Sequence, residues 1–181
     1  MRIVGGLVKG RRLHLTSKNN VRPTSERVRE ALFDILGQNL DDVSFLDICS
    51  GSGAISFEAL SRRAVRVVAI DNDKDCCENI EKVSVDLGLE KRIEVLQGDA
   101  RQILRDLVMS LKKFDIVFFD PPWSDKELAF DILKFLLCEK DFWKVFVFEF
   151  DKNFKISDLS REISSSIKEI RRYGRTNLLF F

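Results

Sequence analysis

The sequence predicts an α/β fold built on a mostly parallel, seven-stranded sheet with helices on both faces. From residue 44 onward, short apolar stretches of strand length alternate with amphipathic stretches of helical period, which is the pattern of βαβ crossovers. The strand stretches are almost continuously apolar, as expected for strands that are buried on both faces. After residue 151 two short stretches joined across Tyr173-Gly174 predict an antiparallel hairpin at the sheet edge.

Residues 1–37 are expected to form an extension in front of this sheet. Alternating apolar and polar positions around two glycine-containing turns predict a small β-hairpin over residues 2–15. A helix follows, because apolar residues then recur at helical spacing. The hydroxyl of Thr24 or Ser25 can cap its first turn, and Gly37 is placed to end it.

The core is expected over residues 44–181 and, with the extension, forms a single domain. Its parallel strands are predicted at residues 44–48, 65–70, 92–96, 114–119 and 142–150, and the closing hairpin at 167–172 and 177–181. Helices are predicted between the parallel strands, the last of them opened by a capping box from Ser124 to Glu127.

The composition excludes several classes of protein. The chain is 45% hydrophobic and contains 15 Phe, which is too apolar for a disordered segment. No apolar run approaches the roughly 18 residues of a membrane-spanning helix, and the start lacks the apolar stretch of a secretory signal. We therefore expect a cytoplasmic protein without membrane contact. With one histidine and four cysteines that lack metal-ligand spacing, no metal site is expected.

The charge distribution is asymmetric. Residues 1–30 carry eight Lys or Arg and two Glu, whereas the rest of the chain carries 22 basic and 27 acidic residues. A basic segment on a mildly acidic body indicates a polyanion contact that is confined to one region. From charge alone, a solvated arm is an equally good interpretation.

Three acidic residues follow three successive strands of the predicted sheet. Asp47 ends the first strand, Asp71 directly follows the second and Asp99 follows the third. Ligands of doubly wound sheets bind at the carboxyl ends of the strands, so these side chains are expected to line one site. Asp71 is placed to accept both hydroxyls of a ribose, and Asp99 to meet an adenine amino group. The alternative is that both are turn residues.

The turn after the first strand has a Gly-x-Gly pattern, in which Gly51 and Gly53 permit a sharp bend and close ligand approach. A dinucleotide-binding fingerprint requires a third glycine, where this chain has Ser56. S-adenosylmethionine has no pyrophosphate and does not need that glycine, so it is the expected cofactor. The predicted cofactor-binding residues are Asp47, Ser50, Gly51, Gly53, Asp71, Asn72, Asp99 and Ala100.

The predicted catalytic loop follows the fourth strand and consists of Asp120, Pro121, Pro122 and Trp123. An exocyclic amine on a base is a poor nucleophile because its lone pair is conjugated with the ring. Hydrogen bonds from its N–H groups to Asp120 and a backbone carbonyl favour a more tetrahedral nitrogen, and the prolines hold these acceptors in place. Trp123 offers a flat face on which a flipped base can stack. The alternative is a rigid turn with a surface tryptophan.

On these residues, and on its N-terminal segment, the chain resembles the bacterial RsmD-type methyltransferases over nearly its whole length. The matching segments are Met1-Arg2-Ile3-Val4-Gly5-Gly6, Lys9-Gly10-Arg11-Arg12-Leu13, Arg22-Pro23-Thr24, Arg27-Val28-Arg29-Glu30-Ala31-Leu32-Phe33, Ile35-Leu36, Gly51-Ser52-Gly53-Ala54, Glu58-Ala59-Leu60-Ser61-Arg62, Asp120-Pro121-Pro122, Tyr173-Gly174 and Leu178-Leu179-Phe180-Phe181. The chain departs from the family pattern at Trp123, where Tyr or Phe is usual, and at Cys49-Ser50.

The resemblance implies a class I, Rossmann-like fold and methylation of the N2 amine of a guanine in small-subunit (16S) ribosomal RNA. It implies ribosomal RNA or the small ribosomal subunit as partner, and a monomer is expected. It also favours phosphate contacts by the basic segment, from Arg2, Lys9, Arg11, Arg12 and Arg22. The alternative for Arg22-Pro23-Thr24 is a place at the mouth of the active site.

Three alternatives remain open at this point. The Asp-Pro-Pro-aromatic loop also serves adenine-N6 methylation of DNA or RNA. A non-catalytic RNA-binding assembly factor could retain the same fold. A nicotinamide-dependent enzyme is a remote alternative, which Ser56 disfavours.

Overall fold

The computed structural model describes residues 1–13, 24–154 and 159–181. Seven strands in these ranges form one sheet, in the order β3-β2-β1-β4-β5-β7-β6. They are β1 (Ser44–Ile48), β2 (Arg66–Asp71), β3 (Ile93–Gln97), β4 (Phe114–Phe119), β5 (Trp143–Asp151), β6 (Glu169–Tyr173) and β7 (Thr176–Phe180). The first five strands pair in parallel, whereas β7 is antiparallel to both β5 and β6. The predicted sheet and its antiparallel closing hairpin are confirmed.

Six helices cover the two faces of the sheet in the described ranges. They are α1 (Glu26–Leu36), α2 (Ala54–Ser61), α3 (Lys74–Leu87), α4 (Ala100–Met109), α5 (Lys126–Cys138) and α6 (Arg161–Ser165). One apolar core joins the sheet to α1, α2, α3 and the N-terminal segment, and a second joins the opposite face to α4, α5 and α6. Because the strands contribute side chains to both cores, their near-continuous apolar character is explained.

Polar side-chain caps set the starts of five of these helices, and α2 begins at Gly53 without one. Ser25 caps α1 as predicted, and its side chain accepts a hydrogen bond from the Val28 amide. The prediction for α5 was wrong by one residue, because Asp125 and not Ser124 is the N-cap and accepts from the Leu128 amide at 2.9 Å. The short helix α6 was not predicted, since five residues carry too little periodicity to identify a helix.

The N-terminal segment forms a looser pairing than the predicted hairpin. Within residues 1–13 a single antiparallel bridge joins Arg2 to Arg12, and two backbone hydrogen bonds flank it. The chain turns tightly at Gly6, whose φ is +77° and where an added Cβ would lie 2.1 Å from the Ser61 carbonyl oxygen. This close approach of backbone to α2 explains why glycine is needed here. Ile3 and Leu13 are buried against the first core.

A buried ionic network ties the N-terminal segment to the core. The Glu58 carboxylate of α2 accepts hydrogen bonds from the Val4 amide, from Arg29 of α1 and from Arg62 of α2. All three charged side chains are at most 1% exposed. Buried charges of this kind require partners, because an isolated one would be strongly disfavoured. Glu58 therefore links the N-terminal segment, α1 and α2, which the covalent chain alone does not hold together.

In the described ranges, no helix combines the length and the apolar character that crossing a membrane requires.

Candidate active site

A large cavity of about 840 Å³ opens at the carboxyl ends of β1 to β5. The parallel strands end at the same edge of the sheet, and β7 begins there because it runs antiparallel. Eleven of the twelve residues predicted for the cofactor site and the catalytic loop line this cavity: Asp47, Ser50, Gly51, Asp71, Asn72, Asp99, Ala100, Asp120, Pro121, Pro122 and Trp123. The structure therefore brings the two predicted sites together in one place.

Gly53 is the predicted residue that does not line the cavity. It precedes α2 with a φ of +72°, and an added Cβ would lie 2.8 Å from Ile80 and 3.0 Å from Phe57. Its small size therefore lets α2 pack closely against α3. This close packing is a structural reason for glycine at this position, and its predicted contact with the cofactor stays a prediction.

The glycine-containing turn is held by Asp71. One carboxylate oxygen of Asp71 accepts from the Gly51 amide at 2.7 Å, and the other accepts from the Asp73 amide at 2.9 Å. Gly51 has a φ of +52°, a conformation that glycine adopts without strain. Each carboxylate oxygen has a second lone pair. Asp71 can therefore brace the turn and still accept a hydroxyl from the cavity.

The Asp47 carboxylate is hydrogen-bonded by another residue of the protein, Ser56. Its carboxylate accepts hydrogen bonds from the Ser56 amide at 3.0 Å and the Ser56 hydroxyl at 2.6 Å. Burial raises the pKa of Asp47 to about 7, although both hydrogen bonds from Ser56 oppose the rise. Ser56, which occupies the position of a fingerprint glycine, thus satisfies a buried acid at the start of α2.

Asp99 lies at the rim of the cavity as the N-cap of α4. Its carboxylate accepts from the Arg101 amide at 2.8 Å and from the Arg101 guanidinium at 2.9 Å. Hydrogen bonds from Arg101 lower the pKa of Asp99, so this carboxylate is ionised at neutral pH. The pairing of the Asp99 carboxylate with Arg101 was not predicted, because two residues so close together at a helix start have no distinctive sequence pattern.

The predicted catalytic loop is held at both ends by backbone hydrogen bonds. The Asp120 amide donates to the Ile48 carbonyl of β1 at 3.2 Å, and the Asp125 amide donates to the Pro122 carbonyl at 2.8 Å. Trp123 is half-buried, and the guanidinium of Arg175 lies 5.9 Å from the centroid of its ring. The guanidinium is therefore within the range of a cation–π contact with the ring.

Thr24, for which a place at the mouth of the active site was one of two predictions, lines this cavity. Three residues that the sequence did not identify as site residues line it too: Glu149, Tyr173 and Thr176. Thr24 connects two acids, because its hydroxyl oxygen lies 3.5 Å from Asp120 Oδ2 and 3.3 Å from Glu149 Oε2. Glu149 is 2% exposed. Its signal in the sequence is an acid between Phe148 and Phe150 in a largely apolar strand.

Thr24 is positioned by the buried ionic network. The Arg29 guanidinium donates to the Thr24 carbonyl and to the Arg2 carbonyl, while its Nε lies 3.4 Å from Glu58. Burial lowers the pKa of Arg29, and the neighbouring Glu58 opposes that effect. The network therefore reaches from α2, through Thr24, to the two carboxylates of the cavity.

Cys49 also lines the cavity, in a left-handed conformation with a φ of +62°. Burial, and then the neighbouring Asp71 and Asp120, raise the pKa of its thiol well above the usual range. A thiol that stays protonated is a weak nucleophile and a weak metal ligand. Across the described ranges, no group of three or more His, Cys, Asp or Glu side chains is arranged to hold a metal ion.

The basic residues predicted to contact RNA lie on the surface. Arg2, Lys9, Arg11 and Arg12 are exposed, as phosphate contacts require. Arg2 also pairs with Glu26 at 3.3 Å, and Arg11 donates to the Asp86 carbonyl at 3.3 Å. Arg22, the fifth predicted residue, lies outside the described residues.

The chain matches known proteins over its full length. The family model described as conserved hypothetical protein 95 matches residues 1–181. Ribosomal RNA small subunit methyltransferase D of Haemophilus influenzae is 34% identical over 145 residues, which cover 80% of this chain and 74% of that protein.

Solved structures share the fold. The Escherichia coli protein YhhF, described as a methyltransferase, is 27% identical with a TM-score of 0.79, and the match covers 99% of this chain and 96% of that one. An RNA methyltransferase from Salinibacter ruber, solved with S-adenosylhomocysteine, is 18% identical with a TM-score of 0.63. That match covers 88% of this chain and 92% of the Salinibacter chain, and at this identity it supports the class I methyltransferase fold alone.

Proposed function

This chain belongs to the conserved hypothetical protein 95 family, the RsmD-type methyltransferases, and from that membership we propose that it methylates the N2 amine of a guanine in small-subunit ribosomal RNA. It is an rRNA methyltransferase, and S-adenosylmethionine is its proposed cofactor. The observation that carries the proposal is the shared cavity, in which the strand-end acids of β1, β2 and β3 lie beside Asp120-Pro121-Pro122-Trp123. A cofactor bound at the acids therefore faces a base held at the loop.

The residues of the cavity fit the proposed cofactor. Its volume of about 840 Å³ is within the range of small-molecule sites, with room for a nucleotide-sized cofactor and part of a base. The turn at Gly51 brings backbone close to the cavity, which suits the amino-acid end, and Asp71 has lone pairs for the ribose. Asn72, Asp99 and Ala100 line the part of the cavity beyond Asp71, where the adenine would lie. When bound, S-adenosylmethionine supplies a methyl group on a sulfonium centre.

Asp120 is proposed to activate the acceptor amine by orientation. Two N–H groups of the amine donate to the Asp120 carboxylate and to a backbone carbonyl of the Pro-Pro segment. This geometry directs the nitrogen lone pair away from the ring plane and toward the cofactor. Once methylated, the nitrogen is acidic enough for water or Asp120 to take its proton. Orientation is therefore the main role of Asp120, and proton removal is secondary.

Trp123 is proposed to hold the base after it has left the RNA stack. Base flipping is needed because the N2 amine of a stacked guanine cannot reach an enclosed cofactor. Stacking on an aromatic ring offsets part of the cost of unstacking. The Arg175 guanidinium lies 5.9 Å from the centroid of the indole ring, so a cation is available beside the stacked base.

The N-terminal segment is proposed to position the RNA. Lys9, Arg11 and Arg12 are exposed on the segment that Glu58 anchors to the core, so their charges are held near a rigid surface. Phosphate contacts of this type orient the RNA without reading its sequence. The protein is proposed to act as a monomer in the cytoplasm, which sedimentation of the purified protein and cell fractionation would test.

The direct test uses ribosomal RNA from a strain that lacks this gene. The purified protein and labelled S-adenosylmethionine are incubated with that RNA and with assembled small subunits, and the product is digested for nucleoside mass spectrometry. N2-methylguanosine at one mapped position is the expected result. N6-methyladenosine would instead assign the adenine-directed activity. No transfer together with no cofactor binding in calorimetry at millimolar concentration would indicate a non-catalytic assembly factor.

A further inference from the structure

We propose that Glu149 makes the enzyme select guanine over adenine by accepting the N1–H of the target base. The inference rests on the proposed function, since it concerns the base whose amine Asp120 orients. The catalytic loop alone does not distinguish the two purines, because both present an exocyclic amine to an acceptor. Glu149 supplies a second acceptor beside the first.

The position of Glu149 follows from the strand register. Phe119 of β4 pairs with Phe148 of β5, so Asp120 and Glu149 are the next residues on two adjacent parallel strands. Both line the cavity, and both lie within 3.5 Å of the Thr24 hydroxyl oxygen. The Thr24 backbone is held in turn by Arg29. The two carboxylates are therefore neighbours in a fixed arrangement.

The Glu149 side chain is buried more deeply than that of Asp120. Glu149 is 2% exposed within the sheet, whereas Asp120 is half-buried at the strand end. An amine that reaches Asp120 from the cavity brings the adjacent ring atom of the same base toward Glu149. The amine-bearing carbon of guanine, C2, lies between two ring nitrogens, N1 and N3, and only N1 carries a hydrogen. A second acceptor at this position favours the orientation in which N1–H faces the inner carboxylate.

Guanine and adenine differ in that ring nitrogen. Guanine presents two adjacent donors on its Watson–Crick edge, the N1–H and the N2 amine. Adenine presents its N6 amine beside an N1 that carries a lone pair and no hydrogen. An ionised carboxylate accepts hydrogen bonds and donates none. With both carboxylates ionised, Asp120 and Glu149 together match the guanine edge, whereas adenine places a lone pair against Glu149.

The mismatch is costly because the site is buried. A desolvated carboxylate that faces a lone pair loses a charge-assisted hydrogen bond and meets repulsion, and neither is relieved by water. Sites that bond a particular donor reject analogues without it far more strongly than sites that only exclude by size. Glu149 is therefore a specificity-determining residue, and Thr24 is a positioning residue for it.

The test replaces the target guanine with 2-aminopurine at the position mapped for the wild-type enzyme. This base keeps the N2 amine but has an unprotonated N1. The ratio of kcat/KM for guanine to that for 2-aminopurine is measured for the wild type and for Glu149→Gln, whose amide can donate to N1. We expect the wild type to prefer guanine and the ratio to fall at least about tenfold in Glu149→Gln. Because both enzymes are tested on the same two bases, the difference in intrinsic reactivity between the two amines cancels when their ratios are compared.

Two further variants separate this role from a loss of folding. Glu149→Asp keeps a carboxylate and is expected to retain the preference for guanine even if turnover falls. Asp115→Asn, at the opposite end of β4 from the loop, removes a carboxylate without touching the cavity and should leave the ratio unchanged. The role of Glu149 would be overturned if the guanine to 2-aminopurine ratio of kcat/KM were the same in the wild type and in Glu149→Gln. It would also be overturned if the wild type used the two bases equally well. Absence of any guanine methylation by the wild type would instead refute the proposed function.

Discussion

At the scale of single residues, the acids of the cavity have different environments although they share one edge of the sheet. Asp47 is fully buried and bound by Ser56, Asp71 braces the Gly51 turn, and Asp99 is exposed at its pair with Arg101. Asp120 shares the Thr24 hydroxyl with Glu149. The residue type alone therefore does not assign a role, because burial and hydrogen-bond partners decide what each carboxylate can do.

Substitution of Asp120 should separate chemistry from cofactor binding. In Asp120→Ala and Asp120→Asn we expect kcat to fall by about 10² or more, since a preorganised acceptor of the reacting amine is lost. Calorimetry should give an affinity for S-adenosylmethionine close to that of the wild type. Asp115→Asn serves as the matched control on the same strand. Near-normal turnover in Asp120→Ala would contradict the assigned role.

The raised pKa of Asp47 predicts a specific pH dependence of stability. The folded state holds the proton of Asp47 up to about pH 7, whereas an unfolded chain loses it near pH 4. The contribution of this group to the free energy of unfolding is therefore largest at low pH and is lost as the pH rises from about 4 to about 7, by up to about 4 kcal/mol.

Asp47→Asn, which cannot ionise, isolates the contribution of Asp47 ionisation to the free energy of unfolding. Urea unfolding of both proteins at several pH values should find the variant gaining in relative stability as the pH rises toward 8. The same pH dependence in both proteins would mean that Asp47 does not titrate in this range.

Trp123 should contribute to RNA binding through its ring. Trp123→Ala is expected to lower kcat/KM for RNA by roughly 10- to 100-fold, because stacking on an aromatic side chain is worth about 1–3 kcal/mol per base. Trp123→Phe should retain most of the activity. The second tryptophan, Trp143, bonds to the Leu136 carbonyl and does not line the cavity. In Trp143→Phe, quenching of the remaining fluorescence by RNA would report on Trp123, and no quenching would argue against stacking.

At the scale of elements, the N-terminal segment, α1 and α2 depend on one buried carboxylate. The Glu58 carboxylate accepts hydrogen bonds from two arginines and from a backbone amide of the segment. One of these arginines, Arg29, also donates to the Thr24 carbonyl. Each of these elements is short, and the segment carries only one β-bridge of its own within residues 1–13. Their arrangement around the cavity therefore depends on tertiary contacts rather than on local structure.

Loss of the Glu58 charge should destabilise the protein strongly. Glu58→Gln leaves Arg29 and Arg62 without their shared anion, for which we expect a loss of about 3–5 kcal/mol in the free energy of unfolding. Glu78→Gln, which removes one partner of the exposed pair with Lys74, should change it by less than about 1 kcal/mol. Chemical denaturation measures both. Similar values for the two variants would mean that the buried network contributes little.

At the scale of the whole molecule, a nearly neutral chain carries its charges unevenly. The net charge is +1, but the basic surplus lies in the first 30 residues. The described parts of that segment, residues 1–13 and 24–30, pack on the face of the sheet that carries α1, α2 and α3. The opposite face carries α4, α5 and α6. RNA is therefore expected to approach from one side of the molecule.

The salt dependence of RNA binding should follow this asymmetry. Arg11→Gln and Arg12→Gln are each expected to weaken binding at all sequences and to lower the slope of log K against log salt by about 1. Lys134→Gln removes an exposed cation from α5 on the opposite face and should change neither quantity. A slope that responds equally to all three variants would place the RNA elsewhere.

The predictable part of this structure is the part that local patterns and topology determine. The strand at Ser44–Ile48 and the strand at Phe114–Phe119 were predicted to the residue, and most other elements within two residues. The acids at the strand ends came together because parallel strands finish at one edge. The N-cap of α5 was misplaced because Ser124 and Asp125 are both good caps and only backbone geometry selects one.

The sequence by itself determined the fold class, the shared edge of the sheet and the identity of the loop, since periodicity and chain direction are local properties that tertiary packing does not alter. Only the tertiary structure decided which carboxylates face the cavity and in which pairs. Glu149 is separated from Asp120 by a helix and from Thr24 by more than half of the chain, and it is the strand register and the Glu58 network that bring the three together. Contacts between residues so far apart depend on how the layers pack, and no local pattern encodes them.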